Sequence, residues 1–113
     1  MGTRWIYRKS AERPSASLWL YDNNRALIDF SSGYTFSLKI GTAGSAALLT
    51  KTTGITGAAG SGADPTGTPN VVIAWTAGEL NITPGVYAWE LTCTTGGLDR
   101  VFAGDITIRD VIT

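Results

Sequence analysis

Apolar and polar residues alternate along several short stretches of the chain, which is the pattern of β-strands that pack on one side. In residues 34–40 every second side chain is apolar, and the residues between them are Thr, Ser and Lys. Residues 87–93 repeat the pattern. The predicted inward-facing residues of these two strands are Tyr34, Phe36, Leu38, Ile40, Tyr87, Trp89, Leu91 and Cys93.

A tight hairpin is predicted directly after the second strand. Residues 95–97, Thr-Gly-Gly, supply the positive φ angles that a two-residue hairpin loop requires. The return strand would bring Phe102, Ile106 and Ile108 to the same face, and Gly104 is expected at a bulge or a close crossing.

Residues 70–76 also alternate well, with Val71, Ile73 and Trp75 on one face, and weaker patterns predict strands at residues 5–9, 17–21, 26–30 and 47–52. Residues 22–24, Asp-Asn-Asn, indicate a turn, and residues 77–80 are expected to form a single helical turn. No longer helix is predicted. Seven or eight short strands with frequent turns favour an all-β domain, a sandwich or a barrel.

The composition changes between residues 41 and 70, which hold seven of the fourteen glycines and no aromatic residue. Within this region residues 57–69, GAAGSGADPTGTP, are predicted to be a mobile loop. The loop is expected at the surface, because burial would leave its backbone polar groups without partners.

The entry to the strand at residues 87–93 carries a second signal. A leucine, a Pro-Gly corner and Tyr87 follow one another in residues 80–89, LNITPGVYAW, which is the pattern of a tyrosine corner. In that motif the tyrosine hydroxyl bonds a backbone group a few residues upstream. Trp89 occupies the position at which antibody-type domains carry a cysteine, so a large ring is expected to replace the disulfide as core filler.

This layout resembles the small immunoglobulin-like domains of virion proteins of tailed bacteriophages, such as the N-terminal domain of baseplate upper proteins. The similarity covers about residues 15–110 and includes YTFSLKI, PGVYAWEL and the closing GDITI. It implies an immunoglobulin-like β-sandwich of about seven or eight antiparallel strands. Residues 1–14 depart from the pattern and are interpreted as an N-terminal arm preceding a domain at residues 15–113.

Side chains suited to catalysis are scarce. The chain has no histidine, which removes the commonest general base and transition-metal ligand. Its single cysteine, Cys93, is expected to be a buried apolar residue, and Glu90, Asp99, Asp105 and Asp110 are expected to be solvated. No phosphate-binding or dinucleotide-binding motif is present. We therefore expect neither an enzyme nor a cofactor or metal site.

Charge is distributed unevenly along the sequence, although the net charge is zero. Residues 1–52 hold seven Arg or Lys and three Asp or Glu, whereas residues 53–113 hold two and six. Such a split could orient neighbouring subunits, or it could arise by chance in so short a chain. A neutral domain is not expected to bind nucleic acid, because affinity for phosphate backbones depends on excess positive charge.

The basic and aromatic N-terminal run is therefore interpreted as a docking arm that adds to a partner's sheet edge. The residues expected to contact partners are Arg4, Trp5, Tyr7, Arg8 and Arg13 on the arm and Gly57, Gly60, Gly62, Asp64 and Pro65 in the loop. For four aromatic rings the sequence leaves two possibilities, that they complete the core or that some form an exposed patch that meets a partner: Trp5, Tyr7, Trp19 and Tyr21.

The resemblance implies a structural, non-enzymatic component of a tailed-phage virion, an adaptor at the tail, baseplate or neck. Its expected partners are other phage structural proteins, in a homo-oligomer or a symmetric multi-copy assembly, with no nucleic acid or membrane partner. No secretory leader or membrane span is apparent, so assembly in the host cytoplasm is expected. The alternatives are a capsid decoration protein and a carbohydrate-binding module for host recognition, which exposed, coplanar Trp19 and Tyr21 rings would favour.

Overall fold

The computed structural model describes residues 4–8, 15–42, 44–63 and 66–109. Within these ranges the chain forms eight strands and no helix, which confirms the all-β prediction. The strands are β1 (Arg4–Arg8), β2 (Ala16–Leu18), β3 (Thr35–Gly41), β4 (Leu49–Lys51), β5 (Ile55–Gly57), β6 (Val71–Ile73), β7 (Gly85–Thr95) and β8 (Leu98–Arg109). Among these residues there is no helix with the length and apolarity needed to cross a membrane.

The strands form two sheets. One has five strands in the order β1-β8-β7-β3-β4, and the other has three in the order β2-β6-β5. All pairs are antiparallel except β1 and β8, which run parallel with Trp5 opposite Ile106 and Tyr7 opposite Ile108. The expectation of antiparallel pairing throughout is therefore wrong at β1. No short turn links β1 to β8, and hence their relative direction is not constrained as it is in a hairpin.

The β7–β8 hairpin is the longest paired unit of the chain. Gly96 and Gly97 form its loop with φ angles of 56° and 79°, the positive values that were expected there. Pairing continues from Thr95 opposite Leu98 to Gly85 opposite Ile108 without an extra residue in either strand. Gly104 lies within this continuous ladder, so the predicted bulge at this position is wrong.

One buried cluster draws side chains from both sheets. Leu38 and Leu91 of the larger sheet and Val71 and Ile73 of the smaller one are completely buried within it. Trp89 is also buried, as predicted. The predicted inward faces of β3, β7 and β8 are confirmed: these residues are either buried or, at the margins, half-buried against the cluster.

The shorter elements differ more from the prediction. Residues 26–30 make a single bridge, Leu27 to Tyr21, and no strand. The Asp22 carboxylate stabilises the expected turn between these bridge partners by accepting hydrogen bonds from the amides of Asn24 and Ala26. Residues 77–80 form a hydrogen-bonded turn rather than a helical one.

Asn70 joins the turn region at residues 20–28 to the start of β6. Its buried side chain accepts a hydrogen bond from the amide of Leu20 and donates to the carbonyls of Leu20 and Ile28. The buried side-chain amide thus provides three hydrogen bonds to backbone groups of a segment that is not part of a sheet, which stabilises this irregular segment.

Candidate functional site

Trp5 and Tyr7, two of the residues predicted to contact a partner, are built into the core of this chain. Both are 7% exposed. The Trp5 ring stacks on Trp89 with centroids 4.4 Å apart, and Tyr7 accepts a hydrogen bond from Nε1 of Trp75 at 3.0 Å. Burial raises the pKa of Tyr7, and the hydrogen bond from Trp75 opposes that shift. Their rings therefore have no free face for a docking partner, and β1 is a strand of the sheet rather than a separate arm.

The basic residues of the predicted arm are placed only in part. Arg4 and Arg8 contribute backbone to β1, opposite Asp105 and Arg109 of β8, and their side chains lie outside the described part of the structure. Arg13 lies outside the described residues altogether. Between the two buried rings, Ile6 points the other way and is 52% exposed.

The glycine-rich segment, predicted to be a mobile loop at the surface, is exposed or half-buried in its described part and is held by backbone hydrogen bonds. Backbone hydrogen bonds join Ser61 to Thr68 in both directions, and the amide of Ala58 donates to Asn70. Gly57 lies so close to the Phe30 backbone that a Cβ could not fit, and Gly60 and Gly62 have φ angles near 70°. Gly60 and Gly62 thus serve the turn geometry, whereas Gly57 allows the end of β5 to approach the Phe30 backbone closely. Asp64 and Pro65 lie outside the described residues.

A different surface carries half of the exposed large apolar side chains. We define the outer face as the outward-pointing residues of the five-stranded sheet. Three of the six exposed large hydrophobic residues, Ile6, Val86 and Val101, lie on it, and a fourth, Leu48, flanks it just before β4. Ile6 and Val86 both lie beside Thr107, whereas Val101 lies six residues further along β8, beyond exposed Asp105.

The centre of the outer face is lined by small side chains. Ala88 of β7 and Ala103 of β8 are exposed there, and Gly41 of β3 pairs directly with Ala88. The β3–β4 connection borders these positions and encloses with them a shallow hollow of about 370 Å³. Lys39 and Glu90 line the same hollow, so long charged side chains stand beside these small residues.

Opposite charges are neighbours on this face. Lys39 of β3 and Glu90 of β7 are directly paired positions, and both side chains are exposed. In the sheet, β7 and β8 from the second half of the chain lie between β1 and β3 from the first half. Residues that belong to the oppositely charged halves of the sequence are therefore neighbours where β3 meets β7. The fold therefore places opposite charges side by side on this face, although along the sequence the excess positive and negative charges lie in different halves of the chain.

Two groups that could react, the Cys93 thiol and the Lys51 ammonium, are buried. Cys93 is fully buried as predicted, and burial raises the pKa of its thiol to about 12. Lys51, whose side chain is also fully buried, pairs with Glu79 at 2.8 Å. That carboxylate additionally accepts a hydrogen bond from the Thr76 amide. No group of three His, Cys, Asp or Glu in the described ranges is arranged to hold a metal ion.

The rings named for carbohydrate binding do not form a platform. Tyr21 is 40% exposed, whereas Trp19 is half-buried and its indole Nε1 is buried with no hydrogen-bond partner. Stacking on a sugar requires open ring faces side by side. Tyr21 alone among the aromatic residues is more than a third exposed.

Comparison of the chain with protein-family models, with curated proteins and with solved structures finds no match. Functional inference therefore depends on the surface itself. The sequence patterns of the arm and the loop do not indicate the outer face. A signal was present: Val86 and Val101 are large apolar residues on the outward side of alternating strands, where polar residues are expected.

Proposed function

We propose that the domain is an immunoglobulin-like β-sandwich. The order β8-β7-β3-β4 opposite β2-β6-β5 corresponds to the variable-type arrangement, in which the last two strands occupy the centre of the larger sheet. The Tyr87 hydroxyl donates to the Thr83 carbonyl at 2.6 Å, which is the hydrogen bond of a tyrosine corner. Trp89 follows two residues later, in the cysteine position, and packs on Trp5.

We further propose that the protein is a structural, non-enzymatic component of a tailed-phage virion, an adaptor of the tail, baseplate or neck. The observation that carries the assembly role is the concentration of exposed apolar residues on the outer face. The phage assignment depends on the sequence resemblance, whose three quoted segments fall on β3, β7 and β8. The partners would be other phage structural proteins, and the chain would join the virion after synthesis in the host cytoplasm.

Capsid decoration is the second candidate, since the same outer face could bind a repeated shell surface. A carbohydrate-binding module is less well supported, because Trp19 and Tyr21 do not offer two open rings. The position within the particle separates the first two candidates.

The experiment is mass spectrometry of density-purified particles from a producing culture, followed by immunogold labelling. A virion component should remain with the particles at a fixed, multi-copy ratio to the other structural proteins. Gold at the tail or neck supports the adaptor, and gold over the capsid supports decoration. A chain found only in the lysate supernatant would refute the virion proposal.

A further inference from the structure

We draw no further inference here: the strongest candidate, the hollow lined by Tyr34, Phe36 and Ile55 beside the end of β3 that β4 does not pair with, carries none because nothing in the described structure shows what would cover it.

Discussion

The indole of Trp5 lies on the indole of Trp89 with ring centroids 4.4 Å apart and planes within 3°. These residues belong to β1 and β7, which are separated in the sheet by β8. Trp75 meets the Trp5 ring edge-on at 5.9 Å, so three tryptophans form one packed group. The first strand of the chain therefore contributes directly to the core.

Trp5→Ala should lower the free energy of unfolding by about 3–5 kcal/mol, because truncation of a buried ring leaves a cavity and removes the stacking contact. Guanidinium unfolding followed by far-UV circular dichroism measures this. Ile6→Thr is the matched control, because the neighbouring side chain is 52% exposed and the substitution keeps a β-branched residue. It should change stability by no more than about 0.5 kcal/mol. A cost below about 1 kcal/mol for Trp5→Ala would contradict the buried position.

Tyr87→Phe should lower the free energy of unfolding by about 1 kcal/mol, since it removes the hydrogen bond to the Thr83 carbonyl and keeps the ring. Tyr34→Phe is the matched control, because Tyr34 packs at the core margin and its hydroxyl makes no hydrogen bond within the described structure. Equal effects of the two substitutions in parallel denaturant titrations would argue against a stabilising tyrosine corner.

In the Lys51–Glu79 pair, removal of the carboxylate should lower the free energy of unfolding more than removal of the ammonium does. Glu79→Ala leaves the fully buried Lys51 side chain without its partner, at a cost of about 3–5 kcal/mol. Lys51→Met leaves Glu79 with 19% of its side chain exposed and its hydrogen bond from the Thr76 amide. Lys51→Met should therefore lower the free energy of unfolding by less than Glu79→Ala does.

Thermal unfolding of the two single variants and of the double variant shows which substitution destabilises the protein more. The double variant should be more stable than Glu79→Ala alone, because no buried charge then lacks a partner. If Lys51→Met proves the more destabilising single change, the assignment of the burial cost to the lysine is refuted.

The buried Cys93 thiol should make stability depend on pH in the alkaline range. Burial raises its pKa from 9.0 to about 12, and the nearby positive charge of Arg100 opposes that shift. The unfolded chain releases the proton at lower pH than the folded chain does. The thiol therefore contributes stability that is fully present below about pH 9 and is lost as pH rises towards about 12.

Denaturant titrations between pH 8 and pH 11 should show this decline, and Cys93→Ala should make it shallower. At pH 8 iodoacetamide should modify the wild-type chain only through unfolding, so guanidinium should accelerate labelling. Rapid labelling of the native protein would contradict the buried thiol.

Alternation along β3, β7 and β8 was sufficient to predict their faces, because the period of two residues is a local property of a strand that is buried on one side. The Gly96-Gly97 turn was also predictable, since few residues adopt two consecutive positive φ angles. β5 was missed because its three residues lie in a glycine-rich segment, where pairing with β6 rather than local pattern makes the strand.

The candidate site was less accessible to sequence reasoning. Trp5 and Tyr7 alternate with Ile6, and the sequence alone does not show which side of that strand meets the core. The answer depends on the parallel pairing of β1 with β8, which joins positions about a hundred residues apart. The same pairing exposes Ile6 beside Thr107, and so places it on the outer face of the five-stranded sheet.

Parallel pairing of the first and last strands also determines how the domain resists tension. A pull transmitted through the chain before Arg4 and the chain after Arg109 would draw β1 and β8 past each other along their common axis. Their backbone hydrogen bonds would then be loaded together instead of opening one after another from an end. We therefore expect the β1–β8 pair to resist such a pull in shear.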